Sequence, residues 1–118
     1  MNELETGAGE LTACACQVGD EGPRKAVGVD PSIKEANLKR LRRIEGQVRG
    51  IQKMIEEERY CADILTQVSS VHEALRSVGR ELMRNHLRHC AASAIKAGPE
   101  KAEPMYDELI ELMYRHVR

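Results

Sequence analysis

A chain of 118 residues, 42% hydrophobic and 31% charged, has room for one soluble globular domain and is too apolar for a disordered chain. No apolar run approaches the roughly 20 residues of a membrane helix, and the acidic opening lacks a signal peptide's apolar stretch; the expectation is a cytoplasmic protein with no membrane partner. Net charge is −1, but residues 1–31 hold six acids and two bases whereas residues 32–59 hold eight bases and five acids, so a near-neutral whole hides a basic middle.

Residues 1–31 read as a flexible N-terminal tail. Gly7, Gly9, Gly19, Gly22, Pro23, Gly28 and Pro31 punctuate it, and no hydrophobic period survives. Residues 32–118 read as the working domain. Ser32 with Glu35 three residues on has the form of a capping box. From there a first helix is expected over about 33–57, with Leu38, Leu41, Ile44, Val48, Ile51 and Ile55 making a near-heptad stripe. Gly46 and Gly50 lie inside it, each costing up to about 1 kcal/mol against Ala. They are either tolerated or there to admit another backbone. Residues 56–59 form a polar break.

A second, long helix is expected over about 61–97, its stripe formed by Ile64, Val68, Val71, Leu75, Val78 and Leu82 and its end marked by Ala97-Gly98-Pro99. A third, about 102–116, carries Met105, Leu109, Leu112, Met113 and Val117. No strand pattern occurs, so the class is all-α with three helices. The chain has no Trp or Phe and only three Tyr. About 85 residues without large aromatics make a marginal core, and oligomerisation is the usual remedy.

Four cysteines in a reducing compartment read first as free thiols or metal ligands. His86 and Cys90, at i and i+4, share a helix face in chelating geometry. Alone, such a pair is as well explained by a surface histidine beside a buried cysteine. Cys61 sharpens the reading. It begins the same helix 25 residues earlier, about 37 Å away if the helix is unbroken. One protomer cannot unite the three, whereas two antiparallel copies can, with two-fold symmetry giving two equal sites. Two thiolates and one imidazole form a soft, three-coordinate set suited to Cu(I) rather than Mg(II), Ca(II) or Mn(II). Zn(II) or Ni(II) would want a fourth ligand, for which only His89 or a tail cysteine offers itself. Cys14 and Cys16 form a C-x-C pair that is either a second soft chelate or incidental.

Bases are concentrated on the first helix: Lys39, Arg40, Arg42 and Arg43, extended by Arg49 and Lys53. On the second, Arg76, Arg80, Arg84 and Arg88 fall at i+4 spacing. Rows of this kind are commonly just solvated faces. Here few acids interrupt the first row, and symmetry would enlarge it into a patch suited to phosphate contacts. There is no helix-turn-helix or zinc-finger spacing.

The run LKRLRRIEGQVRGIQKMIEEERYCADILTQV from Leu38, with HLRHC further on, resembles the copper-sensitive operon repressors of the CsoR/RcnR family of metal-sensing transcription factors. The resemblance covers about residues 33–117. It implies a three-helix protomer that dimerises as an antiparallel four-helix bundle and pairs into a homotetramer. It implies Cu(I) ligation by Cys61, His86 and Cys90, with Tyr60 and a third-helix acid, Asp107 or Glu108, supporting the ligands from outside. It assigns operator DNA to the basic face of Lys39, Arg40, Arg42, Arg43, Arg49 and Arg76, with copper releasing it ahead of copper-efflux genes. The nickel and cobalt branches use an N-terminal histidine, and here no histidine precedes His72. A persulfide sensor pairing Cys61 with Cys90 is the alternative within the family, and a copper chaperone or store using Cys14 and Cys16 is the alternative outside it. No catalytic constellation argues for an enzyme.

Overall fold

The computed structural model describes residues 22–116. Its elements are α1 (Pro31–Glu56), α2 (Cys61–Asn85), a π-helical segment (His86–Ala91), α3 (Ala92–Lys96) and α4 (Pro99–His116). The second, third and fourth of these follow one another without a break, so the described residues form three helical stretches. Among the described residues there is no strand, and no helix is long and apolar enough to cross a membrane. The described residues divide into two compact units: Asp30–Arg84, and residues 22–29 together with 85–116.

Within the first unit, α1 starts two residues ahead of the expectation. Its N-cap is Asp30, not Ser32: the Asp30 carboxylate accepts from the Ser32 backbone N–H at 3.1 Å and from the Ser32 hydroxyl at 2.8 Å. Pro31 suits the first helical position because its missing N–H would go unbonded there anyway, and a carboxylate complements the positive end of the helix dipole. At the other end, Glu58 takes a left-handed backbone (φ 56). Arg59 N–H donates to the Met54 carbonyl and Glu58 N–H to the Ile55 carbonyl, which closes the helix in a Schellman motif.

The core of this unit is small. Ile44, Val71 and Val78 are buried, with Ile51 and Ala74 packed against them. Heptad spacing on both helices produces this seam. The rest of the two stripes is uncovered: Leu38, Leu41, Val48 and Ile55 on α1, and Leu75 and Leu82 on α2, are exposed. Burying a Val or Ile gains about 1.5–3 kcal/mol, against roughly 1–2 kcal/mol of backbone entropy per ordered residue. Three such residues are a thin core for two long helices, and the uncovered rows are the apolar area still available. Gly46 and Gly50 are exposed as well, and a Cβ at either would meet nothing within 4 Å.

In the second unit, Cys90, Ala91, Ala94 and Met105 form a buried cluster with Leu109 against it. Small residues allow close helix approach here: Ala91 and Ala94 come from one side, Ala102 from α4. The turn between α3 and α4 uses Gly98 at φ +114, and its carbonyl accepts from Lys101 and Ala102. That lets α4 begin at Pro99, three residues earlier than expected. Pro104, inside α4, forgoes one backbone bond.

Candidate metal centre and basic face

His86 and Cys90 do not lie on an α-helix, as their spacing had suggested, but open and nearly close the π-helical segment. A π turn holds more residues per turn than an α turn, so i and i+4 remain on one face. Such turns are rare and recur at functional sites. His86 is largely buried, with its side chain 18% exposed, and Cys90 is 1% exposed.

From α4, Glu108 reaches this segment. Its Oε2 lies 3.4 Å from His86 Nε2, and its side chain is only 8% exposed. Glu108 Oε1 is buried with no hydrogen-bond partner. Asp107, the other candidate acid, is exposed, as is Tyr106. The helical phase explains the difference: Met105 and Leu109 face the cluster, Glu108 lies about 60° from Met105 around the helix, and Asp107 lies about 160° from it.

Cys61 is free and exposed at the first position of α2, and Tyr60 beside it is exposed too. Among the described residues no three His, Cys, Asp or Glu groups stand together in a way that could hold a metal ion. The expectation of reduced thiols fails at Cys90, which is engaged in a disulfide. Cys14 and Cys16 lie outside the described residues. A sulfur in a disulfide is no thiolate, so ligation through Cys90 requires that bond to be reduced first. Once it is, the donor chemistry suits a soft monovalent ion: a thiolate and a carboxylate-supported imidazole on one turn. A metal-bound imidazole commonly has a carboxylate at its other nitrogen, which orients the ring and raises its basicity.

On α1, Lys39, Arg42, Arg43 and Arg49 are exposed, and among the described residues no carboxylate is paired with any of them. Arg40 is half-buried and donates to Asn37 Oδ1 at 3.3 Å. Lys53, which extends the row, stands 4.0 Å from the Glu57 carboxylate. The α2 row is less regular than its spacing implied. Arg76 and Arg80 are exposed, but Arg84 pairs with Glu81 at 3.1 Å. Arg88 lies in the π segment and is exposed.

Sequence reasoning missed two residues next to the expected ligands. Asn85, 9% exposed, directly precedes His86, and its amide donates to the Gly28 carbonyl at 3.0 Å. Gly28 lies against His89, the residue before Cys90. A polar residue amid a helix was the signal for Asn85; nothing in the sequence pointed to Gly28.

Residues 33–115 match the family described as metal-sensitive transcriptional repressor. Over 85 residues the chain is 49% identical to the copper-sensing transcriptional repressor RicR of Mycobacterium tuberculosis, covering 72% of this chain and 88% of that one. It is 45% identical to the copper-sensing transcriptional repressor CsoR of Bacillus subtilis, over 72% of this chain and 82% of that protein. In structure it is similar to the Cu(I)-bound copper-sensing repressor CsoR from Geobacillus thermodenitrificans, with TM-score 0.67 and 43% identity, covering 85% of this chain and 97% of the other.

Proposed function

The chain belongs to the metal-sensitive transcriptional repressors, and from that membership we propose a cytoplasmic, Cu(I)-responsive repressor whose metal-free form holds operator DNA and whose copper-bound form lets it go. Derepression of copper-efflux genes follows. The observation that carries the reading is the buried Glu108 carboxylate 3.4 Å from His86, on the same turn as Cys90. Copper supplies a soft Lewis acid that draws thiolates and an imidazole to one point.

His86 and Cys90 hold the ion from one protomer and Cys61 of a second copy completes the set. Glu108 fixes the His86 ring, and Tyr60 stands beside Cys61. The second copy also covers the exposed apolar rows of α1 and α2 in an antiparallel four-helix dimer, and two dimers pair. Lys39, Arg42, Arg43 and Arg49 contact phosphates, with Arg40 and Arg76 at the margin of the patch. The domain begins with the Asp30 cap of α1 rather than at residue 32, and of the expected tail, residues 1–21 lie outside the described residues.

The test is fluorescence anisotropy. A labelled duplex, selected from a random pool for binding the metal-free protein, is titrated with Cu(I), Zn(II) and Ni(II) under reductant. Release by Cu(I) alone is expected; release by none of the three sinks the reading. A persulfide or redox sensor using Cys61 and Cys90 is the second reading within the family. His86 separates them, because only the copper site needs the imidazole: a His86→Ala chain that still lets go of DNA on oxidation, and never with copper, is the redox sensor.

A further inference from the structure

α1 carries one polar residue where its packing calls for an apolar one. Asn37, Ile44 and Ile51 repeat at seven-residue spacing, which keeps them on one face of the helix. Ile44 is buried in the seam with α2, and Ile51 packs against it. Asn37 is buried as deeply, at 5% exposure. Its Oδ1 accepts from Arg40 Nη1 at 3.3 Å. Its Nδ2 is buried too and, among the described residues, has no hydrogen-bond partner. A buried donor left unbonded destabilises a fold, and Asn is a poorer helix former than Leu. An apolar residue would therefore suit this position better, and what the amide offers in its place is the oxygen that holds Arg40. Arg40 is also the half-buried base of the row, whereas Lys39, Arg42 and Arg43 around it are exposed.

We propose that Asn37 is a positioning residue that makes Arg40 the base-reading arginine of the α1 face, with a guanine edge as its target. This rests on the reading of the chain as a DNA-binding repressor. Long basic side chains free in water follow the phosphates wherever they run, and such contacts add affinity without telling one sequence from another. Reading a base edge demands more. A guanidinium offers guanine O6 and N7 two parallel N–H donors only when its plane and position are set. The bond from Nη1 to Asn37 sets both, and burial immobilises Asn37 itself, so the Arg40 head is tied to the helix and not to another mobile side chain. The Nε–Nη2 edge keeps its two parallel donors for the base. Lys39, Arg42 and Arg43 supply the affinity that does not depend on sequence, and Arg40 supplies discrimination. Asn37 acts only through Arg40 and does not touch DNA.

The experiment uses the full chain, metal-free and under reductant, with two labelled duplexes: the selected one and a scrambled duplex of the same length and composition. The variants are Asn37→Leu, Asn37→Asp, Arg40→Ala and the double change Asn37→Leu/Arg40→Ala. Two quantities are read: the ratio of affinities for the two duplexes, and the midpoint of urea unfolding. Arg40→Ala should lower the ratio by about tenfold. Asn37→Leu should lower it by about fivefold, the usual worth of one hydrogen bond. Its affinity for the scrambled duplex should stay within about twofold of wild type, and its urea midpoint should be unchanged or higher. Asn37→Asp keeps an acceptor for Arg40 and should keep the ratio. In the Arg40→Ala background Asn37→Leu should change the ratio no further, because its effect runs through Arg40. An unchanged ratio in Asn37→Leu overturns the proposal. So does equal weakening on both duplexes, which would make Arg40 a phosphate contact or Asn37 a support of the fold. An effect of Asn37→Leu that persists without Arg40 overturns it as well. Wild-type protein that does not tell the two duplexes apart refutes the repressor reading itself, an outcome separate from these.

Discussion

Changing Glu108 to Gln keeps the shape of a nearly buried side chain and removes its charge. In the metal-free protein this carboxylate is a liability: its side chain is 8% exposed and Oε1 has no hydrogen-bond partner. A buried unsatisfied polar group costs about 1–3 kcal/mol, so the neutral amide should leave folding stability unchanged or higher. Copper binding should respond in the opposite direction. With Glu108 Oε2 3.4 Å from His86 Nε2, the carboxylate would orient the ring of a His86 that ligates copper, as proposed, and make it the better ligand. Loss of such a partner lowers metal affinity by about 10–100-fold, or about 1.4–2.8 kcal/mol. The opposed signs separate a role at the site from a role in the fold. Copper affinity is measured anaerobically against a chromophoric Cu(I) chelator, and stability by urea unfolding followed by circular dichroism. Copper affinity within about twofold of wild type, or a loss of affinity matched by an equal loss of stability, would refute the reasoning.

A Cys61→Ala chain paired with a Cys90→Ala chain should form mixed dimers that keep one intact site and lose the other, read as bound copper per dimer; mixed dimers with no copper would exclude the antiparallel arrangement. Arg42→Ala and Arg43→Ala should each weaken duplex binding and flatten its dependence on log salt by about one unit, with copper affinity unchanged. Unaltered salt slopes in both would return the α1 row to a solvated face. Glu58→Gly should stabilise the protein by about 0.5–1 kcal/mol, because a glycine adopts the φ of 56 without the clash a Cβ meets; a lower melting temperature would contradict that account of the turn. Without reductant, iodoacetamide should label the exposed Cys61 and spare Cys90 in the native protein, as mass spectrometry of the digested protein would check.

Local chemistry determined a great deal from the sequence alone. Three helices, their apolar stripes and the break at residues 56–59 were legible because hydrophobic period, Gly and Pro act over a few residues. The stop at Gly98-Pro99 was legible for the same reason, and the structure places Gly98 at φ +114 there. Cap identity was missed by two residues, since Asp30 and Ser32 are both good caps and only the actual bonds distinguish them. The soft character of Cys61, His86 and Cys90 was also legible, being a property of residue type. What required tertiary structure was anything set by which side chains meet. Asp107 and Glu108 are adjacent acids of one charge, and only the packing of α4 on the Cys90 cluster turns Glu108 towards His86 and leaves Asp107 exposed. The π segment has no sequence signature, because one extra residue in a turn is decided by what the turn must pack against. Gly28 and Asn85 stand 57 residues apart, and no spacing rule links positions whose only relation is a hydrogen bond made after the chain has folded.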